Sequence, residues 1–182
     1  LYPSLLLLGK ENLISSLTRV IKEEVEWGEK TDGRFTPRYL ELGFGGIKQE
    51  ADSESTTASL VLTIESASTQ TPPLALWGKI DRIDMDSAGN FIVYDYKSGN
   101  PPSITEVKNG KRLQLPLYLL AVDQLFHPGG KPVGAAYYSL RQTNRLRGIW
   151  RTAGLDFGVK IRGALPDEEW DALHTDAVMA AY

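Results

Sequence analysis

Apolar residues recur every three or four positions at Leu13, Ile14, Leu17, Val20, Ile21 and Val25, with Glu11, Arg19, Lys22, Glu23 and Glu26 opposite. That period predicts an amphipathic helix from about Asn12, packed on the rest of the fold through its apolar stripe. A charge-rich loop at 29–34 follows, and after Pro37 the pattern becomes alternation in Tyr39-Leu40-Glu41-Leu42-Gly43-Phe44. This reads as a strand, as does 58–64, while the polar runs 48–57 and 66–73 read as loops. The strongest strand signal is Phe91-Ile92-Val93-Tyr94-Asp95-Tyr96-Lys97, preceded by Leu76-Trp77-Gly78-Lys79-Ile80-Asp81-Arg82-Ile83-Asp84. The turn Ser87-Ala88-Gly89-Asn90 joins the two as a hairpin, and Gly99, Pro101 and Pro102 end the second strand. A loop at 100–110 leads to a helix at 111–126 with Pro116 near its start, then a strand at 133–140. Pro166-Asp167-Glu168-Glu169 opens a last helix that packs through Trp170, Leu173 and Ala177. The expected architecture is α/β, a mixed central sheet flanked by helices, in one domain.

Composition narrows the classes. A chain of 182 residues with 42% apolar content can bury a core of ordinary size, which excludes disordered and collagen-like proteins. The formal net charge of −3 gives no global signature of a nucleic-acid binder, so any such contact must be local. Between Lys131 and Arg162 the charge is asymmetric, with seven basic residues against Asp156 alone. Arg141, Arg145 and Arg147 are read as a loop leaving the sheet that supplies phosphate contacts. The absence of cysteine rules out disulfides, a thiolate zinc site and an iron–sulfur cluster within these residues. Leu5-Leu6-Leu7-Leu8 is too short to span a bilayer, and a soluble cytoplasmic protein is expected. His127 and His174 lack the spacing of a metal pair and receive no catalytic role.

Candidate chemistry lies in the hairpin. Alternation puts Val93, Asp95 and Lys97 on one face of their strand, and the short turn brings Asp81 near Asp95. Two carboxylates beside an ammonium suit a hard divalent cation such as Mg²⁺, with the lysine placed to orient or deprotonate a water. Gln114 and Tyr118, four apart, share a face of the following helix.

The ordered series Gly78-Lys79-Ile80-Asp81-Arg82-Ile83-Asp84, Tyr94-Asp95-Tyr96-Lys97-Ser98-Gly99 and Gln114-Leu115-Pro116-Leu117-Tyr118 resembles that of the PD-(D/E)XK nuclease superfamily, and within it the RecB/AddB-type exonuclease domain. The resemblance implies a restriction-endonuclease-like fold and metal-dependent hydrolysis of DNA in recombination or repair. Asp81, Asp95 and the Tyr96 carbonyl would bind Mg²⁺ or Mn²⁺, Lys97 would act on the water, and Gln114 and Tyr118 would border the site. It also implies an acidic residue on an earlier strand, where Glu41 stands, and a histidine or acid on an upstream helix. Glu23, Glu24 or Glu26 could fill that last role, but the favoured reading places it in a segment outside this chain. The chain is accordingly expected to be an excerpt of a longer protein that works with a helicase domain or subunit. Some AddB-type domains carry a cysteine-bound iron–sulfur cluster, with cysteines past the final helix. Two alternatives are a catalytically silent DNA-binding or scaffolding module and a dimeric restriction-type endonuclease.

Overall fold

The computed structural model describes residues 3–46, 52–64, 72–126, 129–155, 158–161 and 163–181. Parts of the loops expected at 48–57 and 66–73 lie outside these, as do His127, Asp156 and Arg162.

The hairpin expected around Gly89 forms the centre. β4 (Gly78–Met85) pairs antiparallel with β5 (Phe91–Lys97), and Gly89 supplies the positive φ of 82° that the turn requires. β1 (Thr36–Phe44) pairs antiparallel with β4 on the outer side. After β5 the chain crosses over through α2 (Ile104–Lys108) and α3 (Gln114–Ala121), which continues as a π-helical turn, Val122–Phe126. Such a crossover allows β6 (Pro132–Ser139) to lie parallel to β5, and β7 (Asn144–Trp150) returns antiparallel beside it. The sheet order is β1-β4-β5-β6-β7, with a separate two-stranded ribbon of β2 (Leu60–Leu62) and β3 (Leu74–Leu76). α1 (Pro3–Lys30) and α4 (Asp167–Ala181) complete a mixed sheet flanked by helices, the α/β restriction-endonuclease-like class.

Two apolar clusters sandwich the sheet. On one face Val93, Ala135, Tyr137 and Ile149 pack with Leu115 and Leu119 of α3 and Trp170 and Leu173 of α4. On the other, Ile92, Tyr94, Ala136, Tyr138 and Trp150 pack with Trp27 of α1.

The orientation of α1 reverses the sequence expectation. Leu13, Ile14, Leu17, Ile21 and Val25 are more than half exposed, while Val20 and Trp27 pack inward beside the acidic Glu23 and Glu24. The cause is charge rising from the strands. Arg82 donates from Nη1 and Nη2 to the two Glu24 carboxylate oxygens at 2.8 and 3.0 Å and from Nε to Asp84 at 2.5 Å. Arg145 donates to Glu23 at 2.5–2.9 Å and approaches Glu24 at 2.6 Å, while its guanidinium lies 4.7–5.5 Å from the ring centres of Trp27, Tyr94 and Tyr138. Burial works against ionisation of Glu24, but Arg82 and Arg145 hold its carboxyl below the ordinary value. Buried charges persist only when paired in this way, and the pairing turns the polar side of α1 toward the sheet.

The same network corrects the reading of Arg145 as a phosphate contact. Residues 144–150 form β7 rather than a loop, and Arg145 is 1% exposed. An arginine at an inward strand position looks in sequence like a solvated one. α2 also arises where only a loop was expected, although its capping box is plain: Ser103 accepts from Thr105 N–H, and Glu106 accepts from Ser103 N–H.

Removing one member of a largely buried ion network strands its partners. Arg145→Ala should therefore lower unfolding stability by about 3 kcal/mol, whereas Arg147→Ala, at an exposed position, should change it by less than about 0.5 kcal/mol. Urea denaturation of the two variants checks both values.

Candidate active site

The β4–β5 ladder runs from Met85↔Phe91 to Arg82↔Tyr94 and stops there. One residue further on, a side chain takes over the pairing: Tyr96 N–H donates to Asp81 Oδ2 at 2.7 Å. This bond fixes the Asp81 carboxylate against the backbone that carries Asp95 and Lys97. Asp95, on the Val93 face of β5, is 3% exposed. Its Oδ2 forms an ion pair with Lys97 Nζ at 2.5 Å.

Lys97 is held from the other side by α3. Its ammonium donates to Gln114 Oε1 at 3.3 Å, Gln114 Nε2 donates to the Tyr118 hydroxyl at 3.2 Å, and that hydroxyl donates to the Lys79 carbonyl at 2.8 Å. The relay starts on β5, crosses α3 and returns to β4. Gly78 leaves room beside this relay for Phe44, since a Cβ there would lie 2.8 Å from the Phe44 ring.

Glu41 stands opposite Asp81, because the pairs Leu40↔Arg82 and Leu42↔Ile80 bracket the two. Its φ of 57° is rare for a non-glycine residue, and strict alternation fails at this point. Tyr39 and Leu42 both join the Val93-side cluster, as do Ile80 and Ile83 across from them. Glu41 forms an ion pair with Lys79, a lysine that sequence reasoning passed over although it lies inside the Gly-x-x-Asp motif.

These contacts set the electrostatics. Burial raises the Asp81 carboxyl above its ordinary value; the Tyr96 N–H opposes this, the Glu41 charge adds to it, and Lys97 and Lys79 offset it. Burial also raises Asp95, opposed by Lys97 and reinforced by the Asp81 charge. Two carboxylates that feel each other in a partly dry site favour a bound cation. Tyr137, paired with Asp95 on the neighbouring strand, is pushed up to about 12 by burial and by the Asp95 charge. Nothing in the sequence motifs marked it.

The other expected residues separate by sheet face. Glu23 and Glu24 are occupied with arginines on the far face, and Glu26 pairs with Lys30 at 3.4 Å, so none of the three faces the Asp81–Asp95 site. Arg147 pairs with Tyr137 in register, two strands beyond Asp95, and is exposed, as is Arg141. Arg145 is buried against α1 and is not part of this surface. His174 Nδ1 lies 2.9 Å from the Trp170 carbonyl on the same helix, away from the site.

The donor set fits a hard divalent cation. Asp95 offers a largely buried carboxylate beside Lys97, and the Tyr96 peptide links Asp81 to the same strand end. Among the described residues no cluster of three or more His, Cys, Asp or Glu is arranged to hold a metal. Mg²⁺, however, commonly takes only one or two protein carboxylates and completes its shell with water and phosphate oxygens. No helix among the described residues is long and apolar enough to cross a membrane.

A search of curated proteins finds no match. A family model described as the PD-(D/E)XK nuclease superfamily matches residues 7–181, nearly the whole chain, and spans the splayed hairpin, the lysine and the α3 relay together. Nucleases of this superfamily act on phosphodiesters, generally with divalent metal. The chain belongs to the PD-(D/E)XK nuclease superfamily.

Proposed function

We propose that this chain is the nuclease domain of a RecB/AddB-type exonuclease, hydrolysing DNA phosphodiesters with Mg²⁺ or Mn²⁺ in the cytoplasm, alongside a helicase domain or subunit in recombination or repair. The observation that carries the reading is the convergence of Asp81, Asp95 and Lys97 at one end of β4 and β5, with Lys97 tied to Gln114. Asp81, Asp95 and the Tyr96 carbonyl are the groups that would hold the cation. When bound, the metal would offset charge on the scissile phosphate and favour ionisation of a coordinated water.

The side chains have separable tasks. Asp95 and Gln114 hold the Lys97 ammonium between them, where it orients the attacking water. Tyr118 keeps Gln114 in place by tying its amide to the Lys79 carbonyl. Arg147 and Arg141, exposed at or beside β7, supply phosphate contacts for the strand. No base-reading element is required, so cleavage is expected to be independent of sequence.

The reading is tested by nuclease assays on linear and circular DNA with Mg²⁺, Mn²⁺ or chelator. Lys97→Ala should lose cleavage by about a hundredfold or more while keeping the metal-dependent rise in melting temperature. Loss of that rise would make Lys97 a binding group rather than a chemical one.

Titration gives an independent check. With both carboxyls raised in the folded chain, the metal-free fold retains protons that the unfolded chain has released. Its stability should therefore fall as pH climbs from the ordinary carboxylate range through the raised values, and a divalent ion should flatten that fall. Asp95→Asn removes one charge, so at pH 8 without metal it should melt no lower than the wild type and should show no metal-induced rise. Melting curves with and without MgCl₂ or MnCl₂ read both effects.

Arg147→Ala should weaken binding alike for all DNA sequences and reduce the salt dependence by roughly one unit of slope. A filter-binding series across salt concentrations in chelator measures the change.

A further inference from the structure

Trp77 is 74% exposed, whereas Trp27, Trp150 and Trp170 are 4%, 1% and 2% exposed. An indole this exposed offers a large aromatic surface to a partner. Its place in the chain is specific, since it follows β3 directly and enters β4, the strand that carries Asp81. Lys79, two residues beyond Trp77, pairs with Glu41, which stands opposite Asp81 in the register of β1 and β4. The four residue steps from Trp77 to Asp81 span about 13 Å at ~3.3 Å per residue, the length of a few nucleotides at ~3.4 Å of rise each.

The base of this side chain is fixed while its ring is free. Gly45, at φ +77°, lies so close that a Cβ there would fall 2.4 Å from Trp77 Cβ and 2.8 Å from its Cα. Gly45 N–H also donates to the Ala58 carbonyl at 2.8 Å, which ties this corner to the chain leading into β2. The indole is thus presented by backbone packing at the entry to β4, two residues before the lysine that pairs with Glu41.

We propose that Trp77 is a base-stacking platform that receives an unpaired stretch of the DNA strand and leads it along β4 to Asp81 and Asp95. The platform suits single-stranded DNA: an aromatic face stacks any exposed base without reading its edge, whereas bases in a duplex are already stacked on one another. This inference rests on the nuclease reading for its substrate class and adds the residue that engages the strand before the site.

Fluorescence tests it, because the other three tryptophans are buried. Oligothymidylate titrated into the protein in chelator should quench the exposed-tryptophan emission, and a blunt duplex of equal length should quench it far less. Trp77→Ala should lose the quench and weaken oligothymidylate binding about tenfold, in line with aromatic stacking on a base, while Trp77→Phe should restore most of the affinity. Equal binding of oligothymidylate by wild type and Trp77→Ala would overturn the proposal, as would equal quenching by duplex. Metal-dependent cleavage by the same wild-type preparation separates the two claims. Cleavage without a Trp77-dependent quench overturns the platform and keeps the nuclease; the quench without cleavage keeps the platform and overturns the nuclease.

Discussion

The hydrogen bond from Tyr96 N–H to Asp81 Oδ2 is the contact on which the site depends. A backbone ladder carried one residue further would have paired the strands through their peptides and left the Asp81 carboxylate to point where the pleat sent it. Instead the ladder ends at Arg82↔Tyr94, and the carboxylate itself satisfies the next donor. A part-buried N–H left without an acceptor costs free energy, so this arrangement is enforced by the same requirement that builds the sheet. It holds one carboxylate beside a second, and the raised titration of both is the electrostatic consequence.

Adjacent residues then serve opposite sides of the sheet. Asp81 joins Asp95 and Lys97, while Arg82 turns to the far face and pairs with Glu24 and Asp84. The far-face network seats α1, and the near face carries α3, whose Gln114 and Tyr118 reach back to Lys97 and β4. The motif Gly-Lys-Ile-Asp-Arg therefore encodes both a site and the fastening of the helix behind it. Gly78 gives Phe44 its close approach, Asp81 closes the splayed hairpin, and Arg82 draws down α1.

Much of this was legible in the chain. β5 announced itself through a β-branched and aromatic run ended by Gly99 and the prolines, and its alternation correctly separated Val93 from Ile92 and Tyr94. The parallel placement of β6 follows from the long crossover. What the sequence hid were pairings between distant charges. Arg82 and Glu24 are 58 residues apart and Arg145 and Glu23 are 122 apart, so nothing local marked these acids as the inward side of α1. The apolar stripe at Leu13, Leu17 and Ile21 gave the stronger local signal and pointed the wrong way. β7 was missed because Arg145 occupies an inward position, and the turn of the backbone at Glu41 because a single positive φ leaves no trace in composition.

The central claim is that Asp81 and Asp95 share a divalent cation at the open end of the β4–β5 hairpin. Anomalous diffraction from crystals grown with Mn²⁺ and a short DNA strand locates the ion directly. The account predicts a peak at ordinary metal–oxygen distance from both carboxylates, on the side of the sheet that carries Lys97. A peak on the opposite face, among Glu23, Glu24 and Asp84, or bound Mn²⁺ that touches neither Asp81 nor Asp95, would contradict it.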